Sequence, residues 1–337
     1  MKAFAYASPS SLADAFPLLG SDWGSTEVMA GGTDLISLMK ENVAMPDRVV
    51  NIKKIHELEG ISETKEGLRI GALVKFEELE ANKTVTAEYP ALHQAIREVA
   101  SPQIRNMGTI GGNLCQRPRC WYYRAGFGLL ARDGQGKSLV PDGDNRYHAI
   151  FGNSGPAYFV SPSTVAPVWI ALGAKLRIAG PGGVRVIPLE QFFVIPKSEN
   201  EREHAIAPNE IITEVVIPSS ARGLRSATYE VRQKEQFDWP LAMASVALRM
   251  KGDTVESARI VMGHVAPIPW PATDAEQWLA GKTVNAANAA QAADAAVAKA
   301  TPLSRNRYKV QLARVAVKRA LLAAAGGRSM AAAKGGE

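Results

Sequence analysis

The chain has 337 residues, 46% hydrophobic and 21% charged, with a net charge of +6, enough to bury a large core and to divide into about two domains. Its lysines and arginines are dispersed, with no zinc-finger or RNP motif, so a nucleic-acid binder is not expected. No stretch reaches the ~18 apolar residues of a membrane span, and the first residues lack the pattern of a secretory signal, so the expected compartment is the cytoplasm.

In chain order, an opening strand precedes a predicted helix over Pro9 to Leu19, with Ser10 or Ser11 as its cap. The apolar run Val28-Met29-Ala30 leads through Gly31-Gly32-Thr33-Asp34 into Leu35 to Lys40, whose spacing predicts a helix start. Strands are expected at Arg48 to Ile52 and Gly67 to Ala72, and helices at Glu77 to Glu80 and Tyr89 to Val99. Ser101-Pro102 breaks the pattern before a second glycine pair, Gly111-Gly112. A helix over Thr164 to Leu172 is followed by strands at Ala174 to Ile178, Val184 to Pro188 and Glu210 to Ile217. The Pro-, Ser-, Gly- and Arg-rich segment Pro218 to Leu224 divides residues 1–221 from residues 224–325. Beyond it, strands are expected at Ala227 to Val231, Ala242 to Arg249 and Val255 to Gly263, then a turn at Pro267 to Pro271. Helices follow over the alanine-rich Thr283 to Ala300 and over Arg307 to Leu322, the latter with Val310, Leu312, Val315, Val317 and Leu321 set against Lys309, Arg314, Lys318 and Arg319. Residues 326–337 read as a flexible tail, and the whole as α+β.

The two glycine pairs are the strongest chemical signal. Glycine tolerates positive φ and close approach, so backbone amides can converge on an anion, and two such loops suit a pyrophosphate bridge. The first stands at a helix start, where Thr33 and Asp34 are candidates to cap it or to bond a ribose or phosphate oxygen. A glycine pair after an apolar run also makes an ordinary tight turn. Neither pair belongs to a GxGxxG or Walker loop.

The wording of Ala30-Gly31-Gly32-Thr33-Asp34-Leu35 and of Ile104-Arg105-Asn106-Met107-Gly108-Thr109-Ile110-Gly111-Gly112-Asn113 resembles the flavin-binding medium subunit of the molybdenum hydroxylases, the xanthine dehydrogenase and carbon monoxide dehydrogenase family. Asn209 to Val215, Gly263 to Pro267 and Asn306 to Val310 extend the resemblance over nearly the whole chain, and Arg119-Cys120-Trp121-Tyr122-Tyr123-Arg124 is similar to the 4-hydroxybenzoyl-CoA reductase and aldehyde oxidoreductase branch. The resemblance implies a two-lobed FAD-binding domain of the vanillyl-alcohol-oxidase type over 1–221, and a small α+β C-terminal domain like that of carbon monoxide dehydrogenase flavoproteins over 224–325. It further implies that Met29, Ala30, Gly31, Gly32, Thr33, Asp34 and Leu35 hold the pyrophosphate, that Thr109, Gly112 and Asn113 contact FAD, and that Glu210 and Ile212 line the flavin or its ribityl chain. Two positions depart from the family pattern: Thr164 stands where an acid is usual, and Glu230 where a lysine is usual, with Arg232 and Lys234 close by.

By the same resemblance, some members of this branch carry a [4Fe-4S] cluster whose first ligand matches Cys120. The other ligand positions here are near Leu130, Leu139 and Tyr158, so no cluster is expected, its place taken by packing of Phe127, Leu129, Leu130, Leu139 and Tyr147. Cys115 and Cys120 read as small buried hydrophobes. The five histidines are scattered without a metal or nucleophile motif, which suits a protein whose chemistry resides in a flavin. Trp121, Tyr122, Tyr123, Phe237 and Trp239 are candidates to shield the flavin or a subunit contact, or to pack in the core. The implied partners are a molybdenum-cofactor large subunit and a [2Fe-2S] small subunit, with an external acceptor and no catalytic residue in this chain. A periplasmic complex is expected where a partner carries an export signal. A free-standing flavin oxidase and a scaffold that has lost FAD are the alternatives.

Overall fold

The computed structural model describes residues 1–233 and 239–326. The N-terminal lobe is a parallel sheet of β1 (Ala5–Ala7), β2 (Thr26–Met29) and β3 (Arg48–Asn51) in the order β1-β3-β2, connected by α1 (Leu12–Ala15) and α2 (Leu35–Lys40). The Ser11 hydroxyl caps α1 by accepting from the Asp14 amide. The expected helix over Pro9 to Leu19 is shorter because Pro17 falls in a 3-10 turn, Phe16–Leu18. Proline has no amide to continue the α pattern.

The middle lobe carries β4 (Ile61–Glu63) and β5 (Gly67–Gly71), then the helices α3 (Phe76–Glu80), α4 (Lys83–Glu88), α5 (Pro90–Arg97), α6 (Pro102–Arg105), α7 (Ile110–Leu114), α8 (Trp121–Arg124) and α9 (Ala166–Ala171). It closes with β6 (Lys175–Gly180), β7 (Gly183–Pro188) and β8 (Ile211–Pro218), giving an antiparallel sheet in the order β4-β5-β8-β6-β7. The central strand β8 is buried from Ile211 to Ile217, whereas Val184 and Val186 on the edge strand β7 lie exposed. Five helices escaped the sequence reading: α4, α6, α7, α8 and, in the C-terminal part, the helix Thr273–Leu279. The six residues of α4 are held by the Asn82 side chain on the Val85 amide, and α8 spans four residues, too few to show a period.

The C-terminal sheet runs β12-β11-β10-β9, from β9 (Arg225–Val231), β10 (Ala242–Lys251), β11 (Thr254–Gly263) and β12 (Trp270–Pro271), so the expected turn at Pro267 to Pro271 ends in a short paired strand. Helices α10 (Thr273–Leu279), α11 (Ala286–Val297) and α12 (Tyr308–Gly326) complete it. On α11, Ala289, Ala292, Ala293 and Ala296 form the buried stripe of a 3.6-residue period. On α12 the deepest contacts belong to Ala313, Ala316, Val317, Ala320, Leu321 and Ala324, while Val310 and Leu312 are half-buried. Small residues let a helix approach a sheet closely.

Lys309, expected on the solvent face, is instead 1% exposed, with its Nζ donating to the carbonyls of Tyr147, His148 and His264. The reading of 326–337 as a tail lies outside the described residues from 327 onward, and Gly326 ends α12. No helix among the described residues is long and apolar enough to cross a membrane.

Candidate functional site

A cleft of about 430 Å³ opens between the N-terminal and middle lobes. Met29, Ala30, Gly31, Gly32, Thr33, Asp34, Leu35, Thr109, Gly112, Asn113, Glu210 and Ile212 all line it, although they come from three distant parts of the chain. The β2-to-α2 loop forms one wall. Among the described residues, none of the amides of Gly31 to Leu35 finds an acceptor, so five consecutive N–H groups remain free at the cleft. Gly32 takes φ +74°, which glycine adopts readily. Gly31 has ordinary φ and is needed for another reason: a Cβ there would lie 2.0 Å from the Met107 carbonyl oxygen. This contact seats the first glycine loop on the segment leading to the second.

The second pair is built differently from the expected amide nest. Gly111 and Gly112 lie in α7 without positive φ, and their amides are committed, Gly111 to the Ala72 carbonyl and Gly112 to the Thr109 hydroxyl oxygen. Gly111 is required by packing, since a Cβ would come within 2.9 Å of the Ala72 Cβ. This wall therefore offers side chains. Thr109 accepts from Gly112 through Oγ1 and keeps its hydroxyl hydrogen, and Asn113 accepts from the Ser163 hydroxyl through Oδ1, leaving its Nδ2 group to donate.

Asp34 does not cap α2, although it occupies the capping position. Its carboxylate accepts from the Arg117 amide, from Arg119 Nη1 and from Arg124 Nη2, each at 2.8 Å. Arg117 in turn donates to buried Glu203. These arginines were not among the expected site residues; their only sequence signal is the density of arginine in residues 117–124. Tyr123 is buried between Arg117 and Arg124, whose guanidinium groups lie 5.1 and 5.9 Å from its ring centre. Glu210 receives two hydrogen bonds from Arg185 and one from the Ala207 amide, and the Arg185 bond holds its carboxyl below the usual range against the opposing effect of burial.

Thr164 lines the cleft with Oγ1 3.5 Å from His264 Nε2. Glu230 stays out of the cleft, buried and paired with Arg232; burial pushes its carboxyl up to about 7, with Arg232 opposing. Arg232 itself lines the cleft, so a cation is present two residues from the family's position. Lys234 and Phe237 lie outside the described residues. Trp239 reaches the rim of the cleft, with the Arg119 guanidinium 4.8 Å from its ring centre.

In the loop after Cys120, Leu129 and Leu130 pack with Ala157 and Phe159, but Phe127 and Tyr147 are exposed and do not fill the expected core. Both cysteines are half-buried, and desolvation pushes the Cys115 thiol up to about 12. Among the described residues, no three His, Cys, Asp or Glu groups converge as metal ligands.

His264 makes a pH test. Burial, with Lys309 adding to it, lowers its imidazole from 6.5 to about 3, so the folded chain leaves it neutral where the unfolded chain takes up a proton. Its stabilising contribution is full above 6.5 and is lost as pH falls towards 3. His264 has φ +60°, which asparagine tolerates. On acidification His264→Asn should gain on the wild type by about 1.4 kcal/mol per pH unit, reaching about 3 kcal/mol at pH 4. Urea unfolding of both proteins across this range measures it, and parallel curves would exclude the titration.

Residues 2–220 match the FAD binding domain in molybdopterin dehydrogenase, and residues 227–324 the CO dehydrogenase flavoprotein C-terminal domain. The chain is 31% identical over 325 residues to the carbon monoxide dehydrogenase medium chain of Hydrogenophaga pseudoflava, covering 95% of this chain and 96% of that one. It is 32% identical over 319 residues to the aldehyde oxidoreductase FAD-binding subunit PaoB of Escherichia coli, covering 93% and 96%. A solved structure of carbon monoxide dehydrogenase from Hydrogenophaga pseudoflava lacking the Mo-pyranopterin moiety superposes with a TM-score of 0.76 at 30% identity, over 97% of this chain and 98% of that chain.

Proposed function

The chain belongs to the family of FAD-binding medium subunits of the molybdenum hydroxylases, and from that premise we propose how its own residues hold the cofactor. It is the flavoprotein component of a multisubunit oxidoreductase, with molybdenum cofactor and [2Fe-2S] clusters on partner subunits. When bound, FAD supplies the chemistry: it accepts electrons singly and delivers them in pairs.

The observation that carries the residue assignment is the row of five free amides at Gly31 to Leu35. They present N–H donors to a pyrophosphate at a wall where Gly31 and Gly32 keep side chains out of the way. Asp34 serves this wall through its amide, since its carboxylate is occupied by arginines. Thr109 and Asn113 donate from the opposite wall, and Gly112 leaves room between them. Glu210 and Ile212 close the far side, Glu210 held in place by Arg185. No side chain is assigned a catalytic acid or base role, because the cleft carboxylates Glu27, Asp34, Glu98 and Glu210 are all ion-paired.

The full chain purified alone should carry FAD near one per chain, read from its visible absorbance, and should not reduce a dye with any organic substrate until the partner subunits are added. A colourless chain that fails to take up added FAD would overturn the assignment; substrate turnover by the isolated chain would indicate a free-standing oxidase. The complex is expected in the cytoplasm, or in the periplasm with a signal-bearing partner, and fractionation decides between them.

A further inference from the structure

Iron–sulfur clusters pass electrons and no protons, whereas a flavin that takes up two electrons at neutral pH also binds protons. Those protons need a path of their own. The cleft carboxylates are all ion-paired, so none of them is free to supply a proton. One neutral pair of side chains leads out of the cleft instead.

Thr164 lines the cleft, and its neighbour Ser163 donates to Asn113, one of the residues assigned to FAD. The Thr164 Oγ1 lies 3.5 Å from Nε2 of His264, long for a hydrogen bond, as proton-passing contacts often are before the ligand is seated. His264 does not line the cleft; it lines a second cavity of about 230 Å³, which Thr164 does not reach. The pair therefore spans the wall between the two spaces. The second cavity has room for water, and the exposed Tyr147 and Trp239 on its lining connect it to the surface. Among the described residues the His264 Nδ1 has no hydrogen-bond partner, and it is not one of the sealed polar atoms, so it meets this cavity.

Burial keeps the imidazole neutral, and the charged groups that face it, Lys309 and Arg232, are both cations that add to the effect. Lys309 does not compete as a donor, since three backbone carbonyls take its Nζ hydrogens. A neutral imidazole gives a hydrogen at one nitrogen and accepts at the other, and a hydroxyl does both, so the pair can pass a proton and end uncharged. His264 is also held at φ +60°, uncommon for a residue with a Cβ, and such backbone positions gather at functional sites.

We propose that Thr164 and His264 form the proton path of the bound flavin, joining it to water in the second cavity. The proposal rests on FAD occupying the cleft. As electrons arrive from the partner's clusters, Thr164 gives its hydroxyl hydrogen to the flavin and takes the Nε2 hydrogen of His264, while Nδ1 takes a proton from cavity water. The ring ends neutral with its hydrogen on Nδ1. When the electrons leave for the external acceptor, the proton returns through the same atoms and the first tautomer is restored.

The full chain loaded with FAD is mixed with reduced methyl viologen, which carries electrons and no protons, in weakly buffered phenol red, so that flavin bleaching and proton uptake are read together. In the wild type, uptake should keep pace with bleaching. In His264→Gly, which accepts φ +60° readily, and in Thr164→Val, which keeps the shape and loses the hydroxyl, uptake should lag by about tenfold or more. Added imidazole should restore the pace of His264→Gly, and Thr164→Ser should match the wild type. Uptake that keeps pace in both variants, a lag that imidazole leaves unchanged, or a Thr164→Ser chain that lags as far as Thr164→Val would overturn the proposal. Flavin content, read separately by absorbance, reports on the cleft assignment, so the two ideas fail independently.

Discussion

Gly31→Val is expected to yield a chain that does not retain FAD and melts well below the wild type. The valine Cβ would sit 2.0 Å from the Met107 carbonyl oxygen and 2.9 Å from its carbon, and these backbone atoms cannot rotate aside as a side chain can. The glycine loop must separate from the segment before α7, at a cost of about 3 kcal/mol or more. Separation also spreads the walls that hold the free amides of residues 31–35 opposite Thr109 and Asn113. Gly32→Ala is the informative comparison. Its obstacle is the Ile36 side chain at 2.9 Å together with φ +74°, a strain of about 1–2 kcal/mol, so it should lose less stability and keep part of its flavin. Flavin-to-protein ratio and thermal midpoint measure both, and a Gly31→Val chain that keeps full flavin would show that the contact yields.

The second large effect is expected at Asp34. Its carboxylate is 15% exposed and faces Arg124 at 14% and Arg119 at 28%, so removing it leaves two arginines largely shielded from water with only the half-exposed Glu41, 3.9 Å from Arg124 Nη1, as a counter-charge. Asp34→Ala should cost about 4 kcal/mol, as expected when one partner of a buried ion pair is deleted. Asp34→Asn keeps an acceptor oxygen and should cost less. Because Asp34 also ties the first glycine loop to residues 117–124, flavin affinity should fall with stability. Urea unfolding with flavin titration tests this. Stability unchanged in Asp34→Ala would mean that water reaches the arginines, and that they do not brace the loop.

Much of the secondary structure could be read along the chain, because apolar period and punctuation are local signals. The strands at Arg48, Gly67 and Val255 and the helix after Leu35 fall where alternation and spacing place them. Four-residue α8 has too little length to show a period, and Lys309 was misplaced because only burial in three dimensions distinguishes a surface lysine from one that gathers carbonyls. The cleft shows the same division. Both glycine pairs were conspicuous, yet identical wording hides different work, since the first leaves its amides free and the second commits them to Ala72 and Thr109.

The order of residues by itself determined the family, the two glycine loops and the run of elements, since these depend on residue identity and on neighbours within a few positions. Tertiary structure alone decided that Gly31 is needed for close approach and that Asp34 serves arginines rather than its own helix. It also set a ring-lined cavity against the cleft. Each of these depends on atoms some 75 to 90 positions or more apart meeting at contact distance. Only the packing of the lobes against one another brings them together.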